Sequence, residues 1–241
     1  MSAAVPLVGI GASAGGLEAL SELLEALPPR LGAAVIVVHL DRSRDSLFRE
    51  ILARKTVLPV IEAVHGLIPQ TDSIYVIPPD VTPTVVDGHL HLDARPPGRA
   101  PHLPVDALFK SLAQERGSSG IGVVLSGAES DGAAGIQAIK TAGGITFAQE
   151  PGTARVPSMP HSAIETGCVD FVLPPAQIAG ELARIASHPY LRAIPVDTAP
   201  DSHGPIADGA NEISLKRVFR HLRAAHGVDF SRYKPDRKSV V

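Results

Sequence analysis

The 241-residue sequence predicts an α/β fold: a doubly wound, mostly parallel sheet with helices on both faces and an inserted β-hairpin. Three observations support this prediction. Short apolar runs rich in Val and Ile recur along the chain, as is typical of buried strands. Stretches with helical spacing separate several of the runs, and one Asp-Gly dipeptide marks a hairpin turn. The runs lie at 6–10, 33–38, 74–77, 121–125, 145–148 and 169–173.

The stretches between these runs carry apolar residues at intervals of three and four, which predicts helices. Strands that alternate with helices are expected to lie parallel in one sheet. The dipeptide Asp87-Gly88 lies between apolar segments at 84–86 and 90–92, so we expect a hairpin there, inserted at an edge of the sheet. The apolar positions of the two clearest helices are Leu17, Leu20, Leu23, Leu24 and Leu27, and then Val105, Leu108, Phe109 and Leu112.

The chain is predicted to form one large domain at residues 1–190, followed by a linker at 191–209 and a tail at 210–241. Pro, Asp, Gly, Ser and His gather in the linker without periodicity, a composition typical of connecting segments. The tail has apolar residues at helical spacing and basic residues mostly elsewhere, which predicts an amphipathic helix. Such a helix either packs on its own domain or binds a partner. Its apolar positions are Leu215, Val218, Phe219 and Leu222.

The composition argues against several classes of function. A formal net charge of −3 does not provide the cluster of cations that nucleic-acid binders need, and the absence of Trp leaves few surfaces for base stacking. We therefore expect no nucleic-acid partner. Every apolar run is far shorter than the ~20 residues of a membrane helix, and no leader peptide is recognisable, so we expect a cytoplasmic location without membrane insertion. The single cysteine, Cys168, is compatible with a reducing compartment.

Ser13 is the first candidate for chemistry. It follows the first predicted strand in the segment Gly-Ile-Gly-Ala-Ser-Ala-Gly-Gly at 9–16, where glycines permit a sharp turn that presents the hydroxyl to solvent. The amides of a helix that begins there would stabilise developing negative charge. Two alternatives remain open: Ser13 as an ordinary helix N-cap, and the segment as a dinucleotide-binding fingerprint. The fingerprint requires an acidic residue at the end of the next strand, and Asp41 comes late for that role.

Two further candidates follow two other predicted strands. His39 ends the second strand, and Asp131 follows the strand at 121–125 in the segment Ser-Gly-Ala-Glu-Ser-Asp-Gly. Taken singly, His39 is compatible with a structural histidine and Asp131 with a helix N-cap. Together with Ser13 they supply a nucleophile, a base and an orienting carboxylate on three loops that can open into one crevice. The order Ser-His-Asp differs from that of α/β-hydrolases and of chymotrypsin-type and subtilisin-type proteases.

The remaining polar groups are weaker candidates. Cys168 begins an apolar run and is interpreted as a small buried residue, because reactive thiols need an exposed, electropositive setting. His102 and His161 lie in Pro-containing loops and are candidates for lining the crevice. The His, Cys and Asp residues do not have the spacing typical of metal ligands, so the sequence predicts no metal site.

Several ordered motifs lie between residues 5 and 186. They are Gly-Ala-Ser-Ala-Gly-Gly at 11–16, the strand-end His39, Pro-Val-Asp at 104–106 with Leu108-Phe109, Ser126-Gly with Asp131-Gly, and Met159-Pro160. In this order they resemble the catalytic domain of the chemotaxis protein-glutamate methylesterases. The resemblance implies a parallel sheet with helices on both sides, and hydrolysis of glutamate γ-methyl esters on chemoreceptor helices. It also implies a capacity to deamidate receptor glutamines.

By this resemblance Ser13 is the nucleophile, His39 is the general base and then the general acid, and Asp131 orients the imidazole. The backbone amide of Ala128 would lie in the oxyanion hole. The resemblance implies no cofactor, and the implied partners are methylated chemoreceptor helices. Two alternatives from other functional classes are a non-catalytic receptor-binding module on the same fold and a nucleotide-binding oxidoreductase.

The sequence departs from the family pattern at several points. Ala14 replaces the family's usual Thr, and Ala128-Glu129 replaces its usual Met-Gly pair. Because the first catalytic strand begins close to Met1, we expect no N-terminal receiver domain and no regulation by phosphorylation within this chain. Residues 215–235 resemble the opening segment of the chemoreceptor methyltransferases. A methyltransferase module is therefore a further expected partner, as in an esterase-transferase fusion.

Overall fold

The computed structural model describes residues 5–40, 45–95 and 101–186. The predicted linker at 191–209 and tail at 210–241 lie outside these residues. The strands are Leu7–Ala12 (β1), Ala34–His39 (β2), Val60–Glu62 (β3), Ser73–Val76 (β4), Val81–Val86 (β5), His89–Ala94 (β6), Gly120–Val124 (β7), Ile145–Gln149 (β8) and Phe171–Leu173 (β9). The helices are Gly16–Glu25 (α1), Asp45–Ala53 (α2), Pro104–Arg116 (α3), Ala133–Thr141 (α4), Ser158–Glu165 (α5) and Pro175–Ala186 (α6).

The predicted doubly wound sheet is confirmed. Seven strands form one sheet in the order β3-β4-β2-β1-β7-β8-β9, and each neighbouring pair is parallel. The chain extends the sheet from β1 through β2 toward the β3 edge, and then resumes on the other side of β1 with β7. The winding direction therefore changes between β1 and β7. In open α/β sheets, ligands bind outside the carboxyl ends of the strands at such a switch point.

Helices cover both faces of the sheet, as predicted. One core lies between the sheet and α1, α2 and α6, and the other between the sheet and α3, α4 and α5. Within α1 the buried side chains include Leu20, Leu23 and Leu24, which follow the helical period seen in the sequence. Among the described residues, none of the helices has the length and apolar character needed to cross a membrane.

Helix α3 packs unusually close to β1, because two strand glycines make room for it. A Cβ atom at Gly9 would lie 2.8 Å from Cδ1 of Leu112, and one at Gly11 would overlap the side chain of Val105. The glycine pair therefore has a structural role, which is to admit helix α3. From the sequence alone, the pair is compatible with a tight turn or with a dinucleotide fingerprint. The close packing also brings the first turn of α3 to the carboxyl end of β1, the strand that Ser13 follows.

The hairpin forms as predicted, but its place in the fold differs from the expectation. Strands β5 and β6 pair antiparallel around Asp87 and Gly88, both of which have positive φ, and they form a two-stranded sheet of their own. The expected insertion at an edge of the main sheet is therefore wrong. Val85 and Leu90 bury the apolar side of the hairpin in the core shared with α3, and Ser111 Oγ of α3 accepts the Val85 N–H at 2.9 Å.

Two details near the sheet edges also differ from the sequence analysis. The edge strand β3 has only three residues, too few to give a recognisable apolar run. The strand expected at 169–173 begins at Phe171, and Cys168 precedes it in a half-buried position rather than a fully buried one. The carbonyl of Cys168 accepts a hydrogen bond of 2.6 Å from Thr146 Oγ1, so the backbone there bonds to a side chain instead of joining the sheet.

The close packing of α3 against α4 predicts opposite effects for two Gly-to-Ala substitutions in helices. A Cβ atom at Gly135 of α4 would overlap Cβ of Phe109, whereas one at the exposed Gly180 of α6 would meet no atom within 4 Å. We expect Gly135→Ala to lower the free energy of unfolding by about 1–3 kcal/mol through overpacking. Gly180→Ala should raise it by about 0.5–1 kcal/mol, because alanine restricts the unfolded chain. Urea denaturation measures both, and destabilisation of equal size would contradict the packing argument.

Candidate active site

A cleft of about 550 Å³ opens at the carboxyl edge of the sheet, at the switch point. The loops after β1 and β7 contribute Ser13, Ala128 and Glu129 to its walls, and the end of β2 contributes His39. The cleft therefore brings together three of the four positions that the sequence analysis assigned to catalysis. Its other walls come from the segment after β4, the ends of the hairpin and the start of α3, and include Pro78, Pro79, Asp80, Arg95, His102 and Pro104.

Ser13 stands on a tight turn between β1 and α1. Its carbonyl accepts the Gly16 N–H at 2.7 Å, and Gly15 has a φ of 72°, a left-handed conformation that glycine adopts without strain. The N-cap of α1 is Gly15, so Ser13 is not the capping residue of this helix. The interpretation of Ser13 as an N-cap is therefore wrong. The half-buried serine lies just before the helix, with its hydroxyl available for another role.

The backbone of Ser13 is fixed from behind by Ser126, whose side chain is fully buried. The Ser13 N–H donates to the Ser126 carbonyl at 2.9 Å, and the Ser126 hydroxyl donates to the Ala14 carbonyl at the same distance. Ser126 Oγ also accepts the Val156 N–H at 3.0 Å, and the Ser126 N–H donates to the buried Gln149 side chain at 2.8 Å. One small residue thus ties the turn of Ser13 to β7, β8 and the loop before α5.

His39 ends β2 directly opposite the end of β1, since its Cα is registered with that of Ala12. Its ring stacks on Phe48 of α2, with centroids 4.2 Å apart and planes 18° from parallel. A Cβ atom at Gly16 would also come within 3.3 Å of Cδ2 of the imidazole. The ring therefore packs against both Phe48 and the start of α1, the helix that follows Ser13. This packing restricts its orientation at the wall of the cleft.

Asp131 is almost completely buried, with an exposed fraction of 1%, and the residues lining the cleft do not include it. Its carboxylate accepts the Val105 N–H at 3.0 Å and the Asp106 N–H at 2.9 Å, both from the first turn of α3. Burial raises the pKa of Asp131 to about 6, and the negative charge of Asp106 adds to that rise, against the lowering effect of the backbone hydrogen bonds. The interpretation of Asp131 as the N-cap of the following helix is therefore wrong: the N-cap of α4 is Gly132, and Asp131 accepts amides of α3 instead.

Ala128 and Glu129 form the exposed tip of the loop after β7. Glu129 has a φ of 66°, which is costly for a residue with a side chain. The loop lies against Ser13, because a Cβ atom at Gly127 would approach Cβ of Ser13 to 2.9 Å and overlap the Met159 side chain. The Gly127 N–H donates to the Val156 carbonyl at 2.9 Å, so this amide already has a partner. The next residue, Ala128, lines the cleft.

The far wall of the cleft is polar. Asp80 and Arg95 approach each other to 3.9 Å across the open end of the hairpin, and Thr82 Oγ1 lies 3.1 Å from Nε2 of His102. The expectation that His102 lines the crevice is confirmed. His161 lies in α5 and is exposed, and the lining residues do not include it. Among the described residues, no three His, Cys, Asp or Glu side chains converge as they would around a metal ion.

The sequence pattern predicts roles for the residues that end strands, but it predicts none for the residues that support them, although Ser126 lies in one of the family motifs. The hydroxyl of Ser126 and the amide of Gln149 are buried at 0% and 1% exposure, and each is a polar residue at the end of an apolar strand. That position is the signal that could have revealed them, because a buried polar side chain must find a hydrogen-bond partner. Phe48 carried no such signal, since its contact with His39 joins segments without a shared motif.

Comparison with known proteins agrees with this geometry. The model of the CheB methylesterase family matches residues 8–182. Protein-glutamate methylesterase/protein-glutamine glutaminase 4 of Burkholderia thailandensis is 37% identical over 186 residues, which cover 73% of this chain and 52% of the relative. Protein-glutamate methylesterase/protein-glutamine glutaminase 3 of Burkholderia orbicola is 37% identical over 187 residues, which cover 75% of this chain and 54% of the relative. The chain spans about half the length of the curated relatives it matches.

A solved structure supports the same assignment. The catalytic domain of the Thermotoga maritima CheB methylesterase superposes with a TM-score of 0.68 at 28% sequence identity. The match covers 75% of this chain and 98% of that domain. The family match contains Ser13, His39 and the loop with Asp131. On this evidence the chain belongs to the CheB methylesterase family.

Proposed function

We propose that the chain is a protein-glutamate methylesterase that hydrolyses glutamate γ-methyl esters on chemoreceptor helices in the cytoplasm, with glutamine deamidation as a second activity. The observation that carries the proposal is the convergence of Ser13, His39 and Ala128 on one cleft, with Asp131 buried behind it. The family membership and the names of the curated relatives support the substrate class. The lone half-buried cysteine suits a reducing compartment.

In the proposed mechanism, Ser13 Oγ attacks the ester carbonyl carbon while His39 takes the hydroxyl proton. The carbonyl oxygen becomes an oxyanion, which the N–H of Ala128 stabilises from the loop after β7. When the tetrahedral intermediate collapses, the bond to the methoxy oxygen breaks and the imidazolium protonates it, so methanol leaves. The glutamate side chain is then esterified to Ser13.

Hydrolysis of this acyl-enzyme uses the same groups. His39 removes a proton from a water molecule that attacks the acyl carbon, and returns it to Ser13 Oγ as the second intermediate collapses. The products are a receptor carboxylate and the restored serine. Asp131 fixes the imidazole and stabilises its cationic form in both halves of the reaction. An amide side chain would follow the same course and release ammonia in place of methanol.

The two alternative functions are less well supported. The Gly9 and Gly11 pair, which suggested a dinucleotide site, is accounted for by the close packing of α3 on β1. The contacts around Ser13 also argue against a passive binding module. The buried Ser126 hydroxyl restrains the turn of Ser13, and stacking on Phe48 restrains the His39 imidazole. A binding module has no need of such restraint.

Replacing the nucleophile tests the proposal. Ser13→Ala should lower methanol release from a methylated receptor fragment by roughly 10⁴-fold or more, because the remaining groups act only as a unit with it. Since Ser13 does not cap α1, the free energy of unfolding should change by less than about 1 kcal/mol. Ser21→Ala in α1 is the matched control and should retain full turnover. Near wild-type turnover by Ser13→Ala would contradict the proposed nucleophile.

Ser126→Ala tests how the nucleophile is held. Removing the buried hydroxyl deprives the Ala14 carbonyl and the Val156 N–H of their partner, which should cost about 1–3 kcal/mol. The resulting displacement of Ser13 should lower kcat by roughly 10–100-fold. The hydroxyl of Ser21 donates to the Leu17 carbonyl of its own helix, so Ser21→Ala should change stability by less than about 0.5 kcal/mol. Equal kinetics and stability in the two variants would exclude a positioning role for Ser126.

The raised pKa of Asp131, about 6 in the folded protein, predicts how stability depends on pH. Between about pH 4 and pH 6 the unfolded chain has lost this proton and the folded chain retains it, so this group lowers stability as pH rises. The total loss is on the order of 3 kcal/mol. Urea denaturation of wild type and Asp131→Ala at several pH values measures it. The wild type should lose stability relative to the variant across this interval, and parallel curves would contradict a raised pKa.

A further inference from the structure

Asp106 is a buried carboxylate for which the proposed mechanism has no use. It lies in the first turn of α3, and its exposed fraction is 5%. Its Oδ1 accepts two backbone hydrogen bonds from the beginning of α4, from Gly132 at 3.0 Å and from Gly135 at 2.7 Å. A carboxylate at a helix start satisfies amides that the helix itself leaves without partners. In this case the capping acid belongs to a different helix, 26 residues away in the chain.

Asp131 makes the converse contacts. It immediately precedes Gly132 at the start of α4, and its two oxygens accept the N–H groups of Val105 and Asp106 at the start of α3. Each acid therefore caps the helix of the other, through four hydrogen bonds between 2.7 and 3.0 Å. We call Asp106, Asp131 and these four bonds the aspartate clasp. The positive ends of both helix dipoles face it, which favours two buried negative charges at one place.

We propose that Asp106 is a positioning residue for ester hydrolysis, which fixes the Asp131 carboxylate and the start of α4 from the first turn of α3. The inference rests on the proposed function. Asp131 follows the loop tip with Ala128 by three residues, and Pro104, beside the clasp, lines the cleft. The clasp therefore joins two walls of the cleft through the carboxylate to which the proposed mechanism assigns the orientation of His39. Without Asp106, α4 would lose two capping bonds next to Asp131.

The charge of Asp106 has a separate effect from its hydrogen bonds. Its negative charge contributes to the raised pKa of Asp131. Lys110 also lies near the clasp, with its Nζ 3.8 Å from Asp106 Oδ2, and the ionisable groups Glu129 and His39 line the cleft. Removing the charge of Asp106 leaves all three in place. A change in the ionisation of Asp131 would then be due to Asp106.

Two substitutions separate these effects. Asp106→Asn keeps an Oδ1 acceptor for both amides of α4 and loses the charge. Asp106→Ala loses both hydrogen bonds and the charge. The matched control is Asp170→Asn. Asp170 also accepts a backbone N–H, from Thr146 at 3.0 Å, but the residues lining the cleft do not include it.

The experiment measures methanol release from a methylated receptor fragment as a function of pH, at a temperature where all variants are folded. Asp106→Asn should keep kcat within about threefold of wild type at pH 8. The acidic limb of its pH–activity profile should move to lower pH by roughly half a unit or more, because Asp131 ionises more readily without the charge of Asp106. Asp106→Ala should lower kcat by roughly 10–100-fold at pH 8 with little change in KM. Asp170→Asn should reproduce the wild-type profile.

The outcomes are distinguishable. If wild type hydrolyses the ester and the acidic limb of Asp106→Asn does not move, the clasp does not influence Asp131 and the inference is overturned, whether or not Asp106→Ala folds. The same holds if a folded Asp106→Ala keeps the wild-type kcat. If wild type releases no methanol, the proposed function itself is wrong and the inference falls with it. A shifted limb in Asp106→Asn, with an unshifted one in Asp170→Asn, supports the positioning role.

Discussion

The pairing of β1 with both of its neighbours determines where every functional group lies. Its Ala12 is in register with His39 of β2, and its Gly11 with Val124 of β7. The hydrogen bonding continues beyond the strands, because Leu40 donates to the Ala12 carbonyl and Leu125 donates to the Gly11 carbonyl, each at 2.9 Å. The three strands therefore end at the same level, and the residues that follow them must converge at one edge.

Convergence of the strand ends brings the side chains near each other, but their orientation depends on the buried polar contacts behind them. Ser126 fixes the turn of Ser13, stacking on Phe48 fixes the ring of His39, and amides of α3 fix the carboxylate of Asp131. Each contact joins segments that are distant in the sequence. A group held in this way loses little further freedom when substrate binds, which is the condition for effective positioning.

The close approach of α3 to the sheet links the fold to the site. Without side chains at Gly9 and Gly11, the first turn of α3 comes to the level where β1 ends. The backbone amides of this turn then donate to the Asp131 carboxylate, and the Asp106 carboxylate accepts amides at the start of α4. The same glycines that resemble a dinucleotide fingerprint in the sequence thus serve to bring a helix close to the sheet. A Gly-x-Gly pattern is compatible with either role, and only the position of the helix distinguishes them.

The sequence was informative where the signal is local. The ends of apolar strands located Ser13 and His39, and the Asp-Gly dipeptide located the hairpin turn. It was uninformative where the contact is distant: the hairpin packs on α3 rather than at the sheet edge because its buried Val85 has a partner there, which no pattern near residue 85 reveals. For the same reason the strand-end position of Asp131 was recognisable, whereas the amides of α3 that bind its carboxylate were not.

In the proposed mechanism, the turn after β1 and the loop after β7 together form a site that activates the Ser13 hydroxyl and stabilises an oxyanion. A crystal structure of the protein after reaction with a fluorophosphonate, whose phosphorus mimics the tetrahedral intermediate, tests this arrangement. We expect a bond from phosphorus to Ser13 Oγ, a phosphoryl oxygen within hydrogen-bond distance of the Ala128 N–H, and the His39 imidazole facing Oγ. A phosphonate attached to another residue, or an oxygen that points away from Ala128, would contradict it.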